Sequence, residues 1–362
     1  MRRVRTLVCA ALTLNAANAL AQTGQRGKVV EAQAESKEEE KHSPWLAVPI
    51  FSVSPKLGTS LGAMVGYLHY FDEKSRVSMI GVTAQYTSTD SSVGGLFGRL
   101  SFGEDHHRVV AMAVTGTIKN DYSDYLGTGV PLQTNDELSA VVSRYLYRVT
   151  GDWFFGVQAA YTNYYMAGQS AFDDQVLNLL GMQGFESAGI GLAAYHDSRD
   201  DENMPTRGWL LNVNNIAYRE DLGGDDSFDV YRLDYRIFWP HRRGIFAVRQ
   251  FNQWTVDAPA GALAPVQLRG YKMGQYLGKR MSSIEAEERL RIAEKWTGTL
   301  FLGVACLYGG EQDCSDSENT FPNGGLGVQY ILKQKEGIVV NLEYAQGKGD
   351  NYGVYMKMGY SF

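Results

Sequence analysis

The sequence predicts an all-β chain that folds as a transmembrane antiparallel β-barrel of about 16 strands. Three observations predict this fold. Segments of 10–14 residues alternate apolar with small or polar side chains, as strands with two different faces do. The N-terminus carries an export signal, and the chain beyond it has no apolar run long enough for a membrane-spanning helix. The last residue is aromatic, which agrees with a barrel strand that ends at a membrane surface.

Residues 1–21 are predicted to be a secretory signal peptide. Three arginines precede the short apolar run Leu7–Leu14, and Ala19-Leu20-Ala21 has the small-x-small pattern of a cleavage site. An N-terminal membrane anchor is the alternative, but this apolar run is too short to cross a bilayer. We therefore expect the mature chain to begin at Gln22.

Charge and composition divide the rest of the chain. The whole sequence has 34 basic and 40 acidic residues, and loss of the three signal arginines leaves 31 − 40 = −9. An acidic protein is a poor ligand for nucleic acid. Residues 22–43 are charged and lack aromatic side chains, so we expect a disordered linker there. Residues 44–362 form the predicted barrel.

Strand length favours a membrane barrel over a soluble sandwich or barrel. In Val230–Trp239, outward Tyr231 and Leu233 alternate with inward Arg232 and Asp234. Strands of soluble proteins are usually about 5–6 residues long, whereas membrane-spanning strands need about 9–11 and often end in aromatic residues. The segments found here fit the second description.

Counting the segments gives an even number, as a closed single-chain barrel requires. The 16 predicted strands are residues 45–53, 58–71, 76–88, 92–103, 107–119, 136–149, 152–166, 184–196, 208–220, 228–240, 244–257, 283–294, 297–308, 322–334, 337–346 and 351–362. The long connectors 120–135, 167–183, 258–282 and 309–321 fall at one end, and short turns fall at the other. Connector 197–207 is a longer member of the short set.

Inward charges of both signs indicate a polar interior. They are Arg232, Asp234, Arg236, Glu285, Glu287, Arg289, Arg291, Glu343 and Lys357. A crosslinked or plugged lumen and a selective pore are both compatible with this mixture. Glu288 interrupts the apolar face of its strand, and the sequence offers no reason for it.

Several other side chains are of types found in catalytic or metal sites, but structural roles explain them more simply. His196, Asp197 and Ser198 are triad types, but adjacent strand residues point to opposite faces and a triad is a matter of geometry. We therefore predict neither catalysis nor a barrel hydrolase. The acidic stretches at 225–226 and 313–318 are expected to be solvated loops, and no metal or cofactor site is predicted. Cys306 and Cys314 could form a disulfide in an oxidising compartment, although two separate thiols remain an alternative.

Three motifs together resemble a known family. They are Leu268-Arg269-Gly270-Tyr271, the turn carrying Asp197, Arg199, Asp200, Pro205 and Gly208, and Glu287-Glu288-Arg289. Gly324–Gln329 and the C-terminal Tyr360 and Phe362 fit as well. The combination resembles the BamA/TamA family, the bacterial surface antigen domain of outer-membrane assembly and two-partner secretion transporters. The resemblance covers residues 184–362 well and 44–183 loosely.

The resemblance implies that the surface loop 258–282 enters the lumen. Arg269 would pair with Glu287 or Glu285 on the barrel wall, near Arg289, and Gly270 would allow a tight turn. Tyr360 and Phe362 would form the C-terminal assembly signal. An ordinary surface loop with a solvated Arg269 is the alternative from the local sequence alone.

Two departures from the family bear on function. Only the 22-residue linker is available where family members carry periplasmic receiving domains. The strand after that of Glu287 has no acidic residue between 302 and 308, so we expect the wall contact of Arg269 to rest on the Glu287 strand alone. The resemblance implies outer-membrane protein assembly or translocation through an openable seam between the first and last strands. A passive pore or surface antigen without a client is the alternative. The implied location is the bacterial outer membrane, and the implied partners are its lipid, the machinery that inserts barrels and a periplasmic protein.

Overall fold

A computed structural model of the chain describes residues 44–54, 58–122, 131–180, 184–201, 204–271, 274–333 and 338–358. Within these ranges, 16 long strands form one antiparallel sheet in which each strand pairs with the next. They are β1 Trp45–Ser54, β2 Gly58–His69, β3 Ser78–Thr87, β4 Ser92–Phe102, β5 His107–Tyr122, β6 Leu132–Thr150, β7 Trp153–Gly168, β8 Gly184–Asp197, β9 Gly208–Tyr218, β10 Phe228–His241, β11 Gly244–Val256, β12 Arg280–Arg291, β13 Trp296–Tyr308, β14 Thr320–Lys333, β15 Ile338–Gln346 and β16 Tyr352–Met358.

Each predicted segment corresponds to one of these strands, and the predicted fold class is confirmed. β1 and β16 lie side by side, so the two edges of the sheet meet. Strand β12 begins at Arg280, earlier than predicted, so the connector between β11 and β12 comprises residues 257–279. Strands β5 and β6 extend to Tyr122 and from Leu132, which shortens the connector expected at 120–135.

The outer surface of the sheet is apolar, as alternation predicts. In β13, Leu300 and Leu302 are 56% and 69% exposed, whereas Phe301 between them is 4% exposed. Aromatic pairs lie near the end of the sheet that carries the short turns, which we call the short-turn end; one example is Trp296 against Tyr330, with ring centroids 4.7 Å apart. This apolar band with aromatic edges is the surface that a membrane barrel presents to lipid.

A helix that the sequence analysis missed lies at the opposite, long-loop end. Helix α1, Ala171–Leu180, occupies the connector predicted at 167–183 and packs on β7. The Ser170 hydroxyl accepts a hydrogen bond from the Asp173 amide at 3.2 Å and donates to its carboxylate at 2.5 Å. This is a capping arrangement that starts helices, and Ser170-x-x-Asp173 was its signal in the sequence. Among the described residues, no helix has both the length and the apolarity to cross a membrane.

The interior is not polar throughout, contrary to the prediction. At the long-loop end, Leu177 of α1 joins inward side chains such as Tyr164, Ile216 and Phe228 in one buried apolar cluster. Alternation shows which side chains face inward, but it does not distinguish a lumen filled with water from one filled by protein. Because α1 covers this end, inward residues there can be apolar.

Candidate functional site

The connector 257–279, hereafter the lumen loop, folds back inside the sheet. Ala264–Pro265 pairs with Leu277–Gly278 in a short antiparallel ladder, and the Val266 amide donates to the Tyr276 carbonyl at 3.0 Å. Side chains of the loop and of β11–β14 form one buried cluster, whose members are Phe251, Ala264, Val266, Tyr271, Met281, Ala305, Leu307 and Phe321. The inserted loop of the predicted fold class is therefore present, and the alternative of a solvated surface loop is wrong.

Arg269 stands near the tip of the lumen loop and contacts two carboxylates of β12. Its Nη2 lies 2.7 Å from Glu285 Oε1, and its Nη1 lies 2.8 Å from Glu287 Oε2. Both glutamates are on the inward face, and the Arg269 side chain is only 10% exposed. The resemblance implied one partner or the other, and the structure brings both to the same guanidinium.

Two further groups complete the surroundings of the guanidinium. Glu343 of β15 lies 3.4 Å from Arg269 Nη1, and the ring centroid of Phe301 in β13 lies 3.4 Å from Arg269 Cζ. The expectation that the wall contact rests on β12 alone is therefore wrong. β13 offers an aromatic face instead of an acid, which is also a favourable environment for a guanidinium. An aromatic at the inward position of Phe301 was the available sequence signal.

Neighbouring donors hold the carboxylates in place. Asn323 Nδ2 donates to Glu285 Oε2 at 2.9 Å and to the Arg269 carbonyl at 3.1 Å. Arg289 Nε donates to Glu287 Oε1 at 2.7 Å. Two arginines face three glutamates, so the formal charge of this group is 2 − 3 = −1. We call Arg269 with Glu285, Glu287, Glu343 and Phe301 the carboxylate cage. Such buried charges are stable only when they are paired and hydrogen-bonded.

The next two residues of the motif fix the backbone of the tip. Gly270 has φ +96°, a conformation that favours glycine, and its amide donates to the Tyr355 hydroxyl of β16 at 2.8 Å. The Tyr271 hydroxyl donates to the Pro322 carbonyl at 2.6 Å and accepts from the Lys348 amide at 2.8 Å. Leu268, which begins the motif, packs against the same buried cluster as Tyr271.

The second motif forms a compact turn at the short-turn end. Arg199 donates to Asp197 through Nε at 2.8 Å and through Nη2 at 3.0 Å. Asp200 Oδ1 accepts from the Thr206 amide at 2.9 Å, which closes the turn on itself. Gly208 has φ +96°, and a Cβ there would lie 2.3 Å from the Ser198 carbonyl oxygen.

The other predicted residues of this region have simple places. Pro205 is buried within the turn. The His196 ring stacks on Trp209 with centroids 3.8 Å apart, whereas Asp197 binds Arg199. The triad residue types at 196–198 therefore serve different contacts. Among the described residues, no group of three or more His, Cys, Asp or Glu side chains could hold a metal ion.

The remaining predictions concern the disulfide, Glu288 and the two ends of the chain. A disulfide joins Cys306 to Cys314 and closes the connector between β13 and β14. Glu288, unexplained by alternation, lies 2.6 Å from His241 Nε2 near the short-turn end, where an outward carboxylate has a polar partner. The predicted signal peptide and linker, and the C-terminal Tyr360 and Phe362, lie outside the described residues.

Comparison with solved structures, but not with known sequences, identifies proteins of similar fold. No protein-family model and no curated protein matches the sequence. Among solved structures, BamA from Haemophilus ducreyi lacking POTRA domains 1-3 aligns with a TM-score of 0.61 and 11% identity, over 97% of this chain and 78% of that one. CdiB from Acinetobacter baumannii gives 0.57 and 10%, over 88% and 59%. CdiB from Escherichia coli gives 0.56 and 13%, over 91% and 64%.

The fold is that of BamA and CdiB. The predicted resemblance to the BamA/TamA family is thus confirmed at the level of the fold, which is that of outer-membrane β-barrels. It spans less than two thirds of the two CdiB chains.

Proposed function

We propose that this chain works in the outer membrane of a Gram-negative bacterium as a BamA- or CdiB-like barrel that assembles or translocates proteins. Its lumen loop is a latch held by the carboxylate cage. The proposed role is not enzymatic, and the described charged residues around Arg269 bind one another. The outer-membrane lipid and the cell's barrel-inserting machinery are its general partners, and a periplasmic protein is its proposed specific one.

The observation that carries this proposal is the reach of the lumen loop across the wall. Three residues, Arg269–Tyr271, contact all five consecutive strands from β12 to β16. The last of these strands lies beside β1. Among the described residues, the sheet order runs from β1 to β16 without a backbone ladder that joins the two. The edge between them is therefore the place where this sheet can open with the least loss of hydrogen bonds.

A latch of this kind couples the loop to that edge. Movement of β16 away from β1 alters the Tyr355 hydroxyl that accepts from Gly270, whereas the pairs to Glu285 and Glu287 keep the loop on β12. The loop thus holds strands β12–β16 together. A client that displaces β16 at the open edge must therefore break contacts of the loop. Coupling through a contact with two discrete arrangements is the physical requirement for such a switch.

Single-channel conductance of the refolded protein in planar bilayers tests the latch. We expect a quiet wild type and steady openings in Arg269→Ala and in a chain whose residues 262–277 are replaced by a short Gly/Ser linker. Arg219→Ala is the matched control, because Arg219 pairs with Asp229 at the long-loop end and is 41% exposed. It should stay as quiet as the wild type.

Equal and steady conductance in all four proteins would refute the latch and favour the passive pore. Capture of a periplasmic client by the wild type, lost in the linker variant, would support the assembly or translocation role. If the latch opens as expected but no client alters the conductance or binds, the assembly role is wrong and the latched barrel is a surface protein or gated pore.

A further inference from the structure

A groove crosses the lipid-facing side of the sheet obliquely, from the short-turn end of β7 to the long-loop end of β12. Its volume is about 660 Å³. Ala194 and Asn215 have shorter outward side chains than their neighbours, which leaves this space open, and Asn215 Oδ1 is occupied by the Leu192 amide at 3.0 Å. The larger side chains along the groove are Phe155, Leu192, Val213, Tyr231 and Val256. None of these residues belongs to the carboxylate cage, and the proposed function does not use them.

Two basic side chains stand at the long-loop end of the groove. Arg280 lines it, and both Arg280 and the preceding Lys279 are exposed. A Cβ on Gly309 would lie 3.5 Å from Arg280 Cδ and 3.6 Å from Lys279 Cβ, so the two side chains begin beside the same glycine. Asp257 and Glu311 are exposed acids close by in the sequence, but among the described residues no carboxylate forms an ion pair with either cation. Both cations are therefore accessible to a ligand.

Two aromatic side chains place Arg280 at the level of lipid headgroups. Trp254 of β11 and Tyr308 of β13 are the Cα partners of Arg280 on the neighbouring strands. Trp254 Nε1 donates to the Tyr308 hydroxyl at 2.7 Å. Aromatic residues with a polar tip lie where the apolar membrane core meets the headgroups. Long loops of such barrels lie on the cell exterior, so Arg280 faces the outer leaflet.

A small polar group continues inward from Arg280 on the same outer face. Ser282 is the next outward residue of β12, and its Cα partner on β11 is Asn252. Gln250 Nε2 donates to Asn252 Oδ1 and to Ser282 Oγ, each at 3.2 Å. Polar side chains on a lipid-facing wall are costly unless they are hydrogen-bonded. Their place, one step below the cations, is where ester and amide groups join acyl chains to a headgroup.

Two adjacent cations match a phosphate monoester better than a diester. A monoester carries a charge of about −1.5 to −2 at pH 7 and three acceptor oxygens, whereas a diester carries a single negative charge. A guanidinium donates to phosphate through a planar fork, and an ammonium binds it as a point charge. Because any lipid can cover the apolar groove, the headgroup decides which lipid binds.

We propose that Lys279, Arg280 and the adjoining groove bind one lipid of the outer leaflet that carries phosphate monoesters and several acyl chains, with lipid A as the representative ligand. A phosphate accepts hydrogen bonds from both cations, and an acyl chain lies along the groove past Tyr231 and Val213. The site lies on the outside of the wall and does not involve the carboxylate cage. The proposal therefore stands whether or not the barrel has a client.

Native mass spectrometry of the full chain, refolded in detergent at pH 7.5 and titrated with diphosphoryl lipid A, tests the site. We expect one bound lipid A per wild-type chain. Arg280→Gln should bind it about tenfold more weakly, the loss expected for one charge-assisted hydrogen-bonding group. Arg243→Gln is the matched control, because Arg243 is also exposed but lies in the short turn before β11. It should bind within about twofold of the wild type, since about 30 Å of strand and several Debye lengths separate it from the site.

Three further probes separate the headgroup from the chains. Dephosphorylated lipid A, phosphatidylglycerol and soluble glucosamine 1-phosphate should each bind at least about tenfold more weakly than lipid A, the loss expected for one charge-assisted hydrogen-bonding group. Ala194→Trp keeps both cations but fills the groove, so it should weaken lipid A binding several-fold.

Heat-modifiability on gels establishes that each variant is folded, and Lys279→Gln decides where Arg280→Gln does not fold. The proposal is overturned if the folded cation variants bind lipid A as tightly as the wild type does. Equal binding of dephosphorylated lipid A or of phosphatidylglycerol also overturns it. Equal binding of glucosamine 1-phosphate would make the site one for free phosphate esters and would overturn the assignment to a lipid.

Discussion

Removal of the Arg269 guanidinium should expose the energetics of the carboxylate cage. Glu285, Glu287 and Glu343 are 7%, 0% and 1% exposed, and Arg269→Ala removes the cation that joins them. Breaking a buried ion pair from one side costs about 3–5 kcal/mol. Because Arg289 still compensates Glu287 at 2.7 Å, we expect a loss near the lower limit, about 3 kcal/mol.

A double-mutant cycle separates the cage from general damage to the loop. Glu285→Gln keeps the shape of the side chain but removes one negative charge, so in Arg269→Ala it relieves the repulsion among the remaining carboxylates. The double variant should therefore lose less stability than the sum of the single variants, by about 1–3 kcal/mol. Urea titration of the refolded protein in vesicles, followed by tryptophan fluorescence, measures all four stabilities.

The control for the cycle is an exposed ion pair. Arg219→Ala breaks the contact between Asp229 and the Arg219 side chain, which is 41% exposed. This change should lower the free energy of unfolding by no more than about 1 kcal/mol. Strict additivity of Arg269→Ala and Glu285→Gln would refute the shared cage, as would a loss in Arg269→Ala no larger than in the control.

Three further predictions concern the glycine, the disulfide and one buried aspartate. Gly270→Ala should cost about 1–2 kcal/mol in the same urea titration, because a side chain is strained at its φ of +96°. Reduction of the Cys306–Cys314 disulfide, whose cysteines are 8 residues apart in the sequence, should lower the free energy of unfolding by about 2–3 kcal/mol. It should also speed cleavage of residues 309–319 by protease. Burial raises the pKa of Asp105, but the Arg108 guanidinium more than reverses this and lowers it to about 2. Its stabilising effect should therefore be complete above about pH 4 and be lost toward pH 2, and thermal melts of Asp105→Asn should lack that part of the pH dependence.

The fate of individual residues shows what sequence could predict. Arg269, Gly270 and Glu287 were recognisable because they lie in short motifs, and alternation then placed Glu285 on the same inward face. Glu343 and Tyr355 were also at inward positions, but nothing local linked them to Arg269. The contact from Arg269 to Glu343 crosses 74 residues of chain, and only the closing of the wall brings those strands around the loop.

Helix α1 and the apolar interior show a second limit. The capping pair Ser170 and Asp173 was visible in the sequence, yet 10 residues in a connector fit a loop equally well until they have something to cover. Inward apolar residues such as Ile216 and Phe228 needed that cover. The helix and the inward apolar residues can be understood only together, because a side chain is buried by the elements that pack against it.

The sequence by itself determined the number of strands, their order and the face of each side chain. The reason is that the two-residue alternation of a strand depends only on residues that are neighbours in the sequence. It also determined which loop carries the motif. Tertiary structure alone decided which inward residues meet, since that depends on the register between neighbouring strands and on the curvature that returns β16 to β1. The carboxylate cage is a product of that closure, which gathers charges from distant strands into a confined space where each must find a partner.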